Sequence, residues 1–486
     1  MSTGASIMSP GRQAGHRLAA YATGVALFGW FIYVVRGGLD SWFENDDLMN
    51  LHYYWSRPWS ALLKANLEFW SSYYRPAGGL FYRPIYALWG FHPLPFHIAA
   101  LALLSVNFAL LAIVVWQLTQ SRWGVLMALL LLGVNPTFSF AYFDTGNIFD
   151  ILAYTFFWGG FAWYVRVRQA GRRPGWGSLA LVSCLFVAAL DAKEIAVSMP
   201  VAVGLYELVW NPPASWRFRE LWRWTWQAGR FAAIGGLADT VYILGKRYGP
   251  DSLWQAEAYH PRYSADAYIQ SLSHYLCQLI YYPVTIAAWQ MAGLLGAMLA
   301  VAAITRRRCL LWGVGFIAVG VLPLTYIPGR SGSAYMVPSV GWAVYAAGLL
   351  DWLVVSVVGR RVRLRIALQV LLLAALAVIL TPWQRRWIGA HGHAAHEMQA
   401  RFRNYIEQIH ALIPAPRKGA HILLLSDADG RDDWDVFFLI RLYYGDPLLE
   451  VQRMTVWKTQ GVQVDPRGYD YVLDWVDKRF VLVTAK

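Results

Sequence analysis

Residues 94–117 contain no Asp, Glu, Lys or Arg and are long enough to cross the roughly 30 Å hydrocarbon core of a bilayer as one helix. Similar runs recur along the chain. Hydropathy predicts about eleven spans, at 18–36, 94–117, 123–141, 147–165, 178–192, 195–210, 229–246, 283–304, 309–327, 334–357 and 366–382. With 57% hydrophobic and 16% aromatic residues and a mean hydropathy of +0.35 over 486 residues, too little polar surface is left to cover a soluble fold. The expected class is a polytopic α-helical membrane protein. No small-residue cleavage site follows the first apolar run, so that run reads as an anchor. Cys184, Cys277 and Cys309 have neither metal-site spacing nor an evident disulfide partner and read as core residues.

Arginine sets the expected orientation. Of the 28 Lys and Arg before residue 383, 18 fall in alternate connections: Arg12 and Arg17; Arg122; Arg166, Arg168, Arg172 and Arg173; Arg217, Arg219, Arg223 and Arg230; Arg306, Arg307 and Arg308; Arg360, Arg361, Arg363 and Arg365. The positive-inside rule places these in the cytoplasm, with the N-terminus. The other side then receives residues 37–93, the loop around Asp144, the turn Asp191-Ala-Lys-Glu194, residues 247–282, the turn at Arg330 and everything after 383.

On that side Asp46, Asp47, Arg75, Arg83, Asp144, Asp150, Asp191, Lys193, Glu194 and Arg330 all fall at or near the ends of spans. They can converge on one water-facing cavity, or each can mark a helix end, acids at N-termini and arginines snorkelling. The adjacent pair in Ser41-Trp-Phe-Glu-Asn-Asp-Asp-Leu48 stands out, since charge near a membrane is tolerated where it meets water, a cation or a substrate hydroxyl. The plainer reading is an Asn-Asp-Asp cap on a helix starting at Leu48. Segments 47–55 and 59–70 suit short interfacial helices. In Tyr74-Arg75-Pro76 and Phe81-Tyr82-Arg83-Pro84-Ile85, proline is expected to end helical continuity, beside a guanidinium whose planar fork matches phosphate.

In order, Asp46-Asp47, Tyr82-Arg83-Pro84-Ile85, His97-Ile-Ala-Ala-Leu101 leading to Asn107, Asn135-Pro136 leading to Asp150, and Ala192-Lys193-Glu194 with Pro200 resemble the GT-C superfamily of membrane glycosyltransferases. The likeness is to the protein O-mannosyltransferase branch that carries tetratricopeptide repeats in animals, and to repeat-free bacterial relatives. It covers about the first 210 residues well and the later spans loosely. The resemblance implies a sugar donor on a polyprenyl phosphate and a catalytic base at Asp46 or Asp47, with Asp46 preferred. It also implies donor-phosphate contacts from Arg83 and Lys193, joined by Arg75 and Arg330, and a cavity ordered by Asp150, Glu194 and His97. Where relatives often carry a Glu this chain has Phe140, which leaves Asp144 as the second acid. Arg330 in Gly329-Arg330-Ser-Gly-Ser-Ala-Tyr335-Met-Val-Pro338-Ser339 stands further from its Tyr and Pro than in relatives. No tetratricopeptide repeats follow the last span, which implies a bacterial inner-membrane protein.

The residues fit that chemistry in their own right. Glycosyl transfer from a lipid phosphate needs a base at the acceptor hydroxyl, stabilisation of the departing phosphate and alignment of both reactants. A carboxylate is a weak base toward a hydroxyl, so proton transfer is concerted with attack, and attack opposite the phosphate inverts the anomeric carbon. A divalent cation bridging Asp46 or Asp47 to phosphate is compatible with the paired oxygens but not required by them.

Residues 383–486 carry 14 basic and 13 acidic residues, so nearly all of the +13 net charge belongs to the membrane part and no nucleic-acid partner is indicated. This tail reads as a small extracytoplasmic α/β domain after the membrane domain 1–382: a helix over 383–412, a strand at 421–425, a helix over 433–444, and strands at 469–474 and 479–484. It is expected to cover the cavity or hold the acceptor. Asp427-Ala-Asp429-Gly-Arg-Asp432-Asp433 reads as a strand-to-helix turn rather than a metal-nucleotide motif, because its spacing is not that of a calcium loop. Residues 216–226 read as a basic interfacial helix against anionic headgroups. The expected function is transfer of one sugar from a polyprenyl-phosphate donor to a hydroxyl of a protein, lipid or glycan on the non-cytoplasmic face. A transporter or flippase of polar or oligosaccharide-linked lipids, and a glycan ligase or polymerase with a diphosphate-linked donor, are the alternatives.

Overall fold

The structure is a computed structural model that describes residues 10–135, 143–250, 252, 260–280, 286–325, 327, 332–359, 361–428, 430 and 433–485. Arg330, Pro136 and Phe140, and Asp429, Arg431 and Asp432 of the tail, lie outside the described residues. The chain is mostly helical. Its helices run α1 Pro10–Val35, α2 Asn45–Trp55, α3 Trp59–Leu67, α4 Ala77–Trp89, α5 Pro93–Thr119, α6 Arg122–Ala128, α7 Ile148–Gln169, α8 Trp176–Ala192, α9 Met199–Trp210 and α10 Phe218–Gln227. There follow α11 Arg230–Tyr248, α12 Ala265–Ile280, α13 Ala288–Thr305, α14 Arg308–Gly320, α15 Leu322–Thr325, α16 Met336–Val358, α17 Val362–Leu412, α18 Asp435–Tyr444 and α19 Met454–Thr459.

Among the described residues, seven helical stretches are long and apolar enough to cross a membrane: Ala20–Asp40, Pro93–Thr119, Thr145–Gln169, Ala288–Thr305, Arg308–Thr325, Gly332–Val358 and Val362–Ala390. The spans expected at 178–192, 195–210 and 229–246 are not among them, each for a local reason, and the one expected at 123–141 runs into residues 136–141, outside the described residues. After α6 the helix widens into a π turn at Leu129–Gly133. α8 has 17 residues and α9 only 12, because a polar turn at Lys193–Glu194, with Lys193 buried, separates them. α11 carries Asp239, Lys246 and Arg247 within its 19 residues. α7 is the centre of the bundle: 78% of its most apolar window is buried, against 11% for Val362–Ala390 at the periphery.

Polar side chains tie the bundle together where apolar packing alone gives no preferred register in lipid. Asn107 donates to the Ile151 carbonyl and accepts from Thr155 Oγ1, joining α5 to α7. At the opposite end of α7, Arg168 forks onto Glu207 of α9 at 2.7 and 3.0 Å, and Tyr164 donates to the same carboxylate. Of the three thiols Cys309 is buried and Cys184 exposed, so only part of the expected core placement holds.

Two prolines lie inside helices, one of them Pro84, which was expected to end helical continuity. Pro84 is within α4 and Pro382 within α17. Such a proline frees one carbonyl, which neighbouring groups can satisfy in a packed or membrane setting. α17 consequently runs as one 51-residue element. Its first part is a candidate span and its last part supports the C-terminal sheet. Tyr405 packs edge-on against Trp475 and Phe480, and Gln408 accepts from the Phe480 amide.

The sheet has the order β2-β1-β3-β4, with β1 His421–Leu424, β2 Glu450–Arg453, β3 Tyr471–Val476 and β4 Arg479–Ala485. β1 pairs parallel with β2 and with β3, and β3 pairs antiparallel with β4. The hairpin turns at Asp477 and Lys478, both with positive φ, matching the strand twist. β2 and α19 are additions to the expected elements. α18 connects β1 to β2 and packs on α2, which brings the tail and the 37–93 loop to the same end of the bundle. His52 of α2 meets the rings of Phe437 and Phe438, and Tyr86 of α4 donates to the Leu442 carbonyl.

Candidate active site

The first turn of α2 separates the fates of the two neighbouring acids. Asp47 is fully buried. Its Oδ2 accepts from the Glu44 amide at 2.9 Å and its Oδ1 from Thr145 Oγ1 at 2.5 Å. It thus closes a capping box at the helix N-terminus, but as the third residue of a helix that starts at Asn45 with Glu44 as its cap, rather than as part of a cap before Leu48. Asp46, one residue earlier, is exposed. Tyr82 of α4 donates to the Thr145 carbonyl at 2.7 Å, so α4 fixes the residue that fixes Asp47.

Asp144 approaches from the turn before α7. Its Oδ1 accepts from the Gly146 amide at 2.7 Å and its Oδ2 from Asn147 Nδ2 at 2.6 Å. Gly146 permits the close approach of the two loops, since a Cβ there would stand 2.7 Å from Asp46 Cβ and 2.8 Å from Asp144 Oδ1. Burial, with Asp46 nearby, lifts the Asp144 carboxyl to about 6. Burial also lifts Glu44 to about 8, with Asp144 and Asp46 adding to it and a hydrogen bond from Gln399 opposing it. Asp47 is likewise raised, by burial first and then by Asp144 and Glu44. Four carboxyl groups therefore share one patch, and the patch holds protons at neutral pH.

Beside the acids lie two ion pairs. Lys193 Nζ meets Asp150 Oδ2 at 2.5 Å, both buried. Ser333 Oγ stands 2.9 Å from the same oxygen and 2.6 Å from Asn147 Oδ1, its one proton divided between two acceptors. Arg75 forks onto Glu194, Nε to Oε1 at 3.3 Å and an Nη to Oε2 at 3.1 Å. The guanidinium lies over the rings of Tyr74 and Phe149. Arg75 itself adopts a left-handed φ of 39°, and its carbonyl accepts from Tyr54 Oη at 2.8 Å. Strained non-glycine backbone of this kind persists only where its surroundings over-determine it. Burial opposes the Glu194 charge, yet Arg75 and Lys193 outweigh it and hold the carboxyl at about 2. Burial lowers Lys193, against the pull of Asp150. Asp150 acts electrostatically on Asp144 on one side and on Arg75 on the other, so the acid patch and the ion pairs are contiguous.

Arg83 does not join them. Its guanidinium donates to the Trp55 carbonyl at 2.9 Å and lies over the Trp59 ring. That places it at the C-terminal end of α2, about 14 Å along the helix axis from Asp46, where it holds a helix end. His97 is fully buried within α5. Each oxygen of Asp47 already has a donor, and among the described residues no three His, Cys, Asp or Glu side chains are arranged to hold an ion. Residues that the sequence did not single out complete the site: Glu44, Thr145, Asn147, Ser333 and Gln399. Only Glu44 had a local signal, as the fourth polar residue of Glu-Asn-Asp-Asp. Compared with known proteins, the chain matches no protein-family profile and no curated protein.

Proposed function

We propose that this chain is a membrane glycosyltransferase of GT-C type, with about eleven membrane segments, that moves one sugar from a polyprenyl-phosphate donor to an acceptor hydroxyl on the non-cytoplasmic face of a bacterial inner membrane. The observation that carries the reading is the division between the two acids: a buried Asp47 that holds the turn, and an exposed Asp46 presented by it. A general base must be reachable by the acceptor and must not be consumed by internal donors. Asp46 meets both requirements among the pair. Asp144, which shares the patch, is the second acid.

The leaving phosphate needs cationic partners. Arg75 and Lys193 are adjacent, already aligned and each held by a carboxylate. A donor phosphate would share or displace Glu194 and Asp150, so these acids keep the cations folded and oriented before donor arrives. Proton transfer to Asp46 concerted with attack from the face opposite the phosphate leads to inversion. No step runs through a metal. The C-terminal domain lies against α2 and α4, beside the patch, where an acceptor would be met.

The test is discharge of radiolabelled polyprenyl-phosphate sugars by the full chain in lipid with a mixed acceptor extract, comparing native protein with Asp46→Asn. Release of monophosphate lipid that the substitution abolishes is the expected result. Release of a diphosphate lipid would favour the ligase chemistry. No discharge with any donor would overturn the reading and direct attention to lipid transport.

A further inference from the structure

Gln399 lies 355 residues from Glu44 in sequence and touches it in space. It is on the part of α17 beyond the candidate span Val362–Ala390, and is 3% exposed. Both ends of its amide are used by the loop before α2: Oε1 accepts from the Trp42 backbone N–H at 2.9 Å, and Nε2 donates to Glu44 Oε1 at 3.1 Å. Glu44 in turn donates its amide to Asp47, and Asp46 stands between them in the chain. A single side chain from the stalk of the C-terminal domain therefore fixes the segment that presents Asp46. The groups facing Glu44 are Asp46 and Asp47 of α2, Asp144 of the turn before α7, and Gln399. Gln399 gives Glu44 a neutral donor where three acids face it.

We infer that Gln399 is a positioning residue, through which the extramembrane part of α17 and the domain it carries set the place of the Asp46 carboxylate. The inference rests on the reading of Asp46 as the base. A planar amide is the side chain that can accept from a backbone N–H and donate to a carboxyl at once. A Leu of similar size keeps the packing and loses both bonds. A Glu keeps an acceptor for Trp42 and offers a donor to Glu44 only when it is protonated, so its effect is reversible with pH.

The experiment uses the full chain in lipid nanodiscs, with amide hydrogen exchange over 41–50 and over the strands 421–485, and donor discharge measured in parallel. For Gln399→Leu the expected result is exchange about tenfold faster over 41–50 with the strands unchanged, and a kcat for discharge lowered by about tenfold or more at unaltered KM for the donor. For Gln399→Glu, protection of 41–50 is expected at pH 5 and its loss at pH 9, which a simple failure to fold would not show. Unchanged exchange over 41–50 in Gln399→Leu, or equal protection of Gln399→Glu at both pH values, overturns the link. Faster exchange with unaltered discharge overturns the positioning role and leaves glycosyl transfer standing. Absence of discharge in the native chain defeats the functional reading, while the exchange data still decide whether Gln399 holds the loop.

Discussion

Asp46 and Asp47 differ by one peptide unit and by nearly everything that governs a carboxylate. Asp47 has two donors and no solvent, so replacing it by Asn sets an NH2 group either against the Glu44 amide, donor to donor, or against the Thr145 hydroxyl, which must then turn its own proton away. Leaving a buried donor unpaired costs about 1–3 kcal/mol. Asp47→Asn is therefore expected to lower the unfolding temperature of the purified protein, with any loss of discharge following from that. Asp46→Asn changes an exposed group. Its unfolding temperature is expected to match the native value while discharge falls by about 10²–10⁴, the usual contribution of a positioned base. A stable Asp47→Asn protein with no activity would reverse the assignment of the two acids. Lys193 and Asp150 form the complementary case. Removing either partner alone leaves an uncompensated buried charge, about 3–5 kcal/mol, whereas Lys193→Met combined with Asp150→Leu removes both charges and is expected to be milder than either single change in thermal unfolding.

The elements meet through close backbone approaches as much as through side chains. Gly245 of α11 and Gly249, which follows it as the C-cap, face the loop at Trp70 and Ser72, and a Cβ on Gly245 would overlap the Trp70 carbonyl. Lys246, between them, donates to the Tyr73 carbonyl at 2.6 Å. This seam holds the segment that ends in the left-handed Arg75 and its fork to Glu194. Gly245→Ala is expected to displace the loop and lower the yield of folded protein, and in the folded fraction to make the Arg75 region exchange amide hydrogens faster; normal yield and protection would show that the seam is loose. Neither glycine announces this in sequence, because the partner backbone is remote. The same holds elsewhere. The short helices expected at 47–55 and 59–70 were legible as α2 and α3 because their periodicity is local. β2 was not, since four residues, Glu450–Arg453, become a strand only by pairing with β1. Pro84 reads as a stop because local rules omit the packing around it. Acids in an apolar chain drew attention to Asp46 and Asp47, but Thr145 and Ser333 are ordinary residues until the fold brings them to Asp47 and Asp150.

At the scale of the molecule, the patch couples protonation to the stability of the joint between the tail and the loop. Glu44 at about 8 and Asp144 at about 6 both lie above the ordinary carboxylate range, chiefly through burial. For an acid whose folded value is raised, the folded state binds the extra proton, so stability is fully present below about pH 4 and declines as pH rises through the folded values. Glu194 has the opposite sign: held near 2 by Arg75 and Lys193 despite burial, it contributes stability above its ordinary range that is lost only as pH falls toward 2. Between pH 5 and pH 8 the Glu194 contribution is constant; His52, lowered to about 4 by burial and Arg441, gains stability as pH rises toward its ordinary 6.5, and the raised Glu44 and Asp144 outweigh it because their window reaches about 8. The unfolding temperature in detergent is therefore expected to fall from pH 5 to pH 8. Glu44→Gln keeps an oxygen for Gln399 Nε2 and removes the ionisation, so its decline over the same range should be shallower than that of the native protein. Because Glu44 is held by α17 and α17 carries the sheet, the native loss at pH 8 should appear in exchange over 41–50 before it appears in α7. An equal pH slope in native and Glu44→Gln proteins would show that the Glu44 carboxyl is ionised throughout and that the joint does not hold its proton.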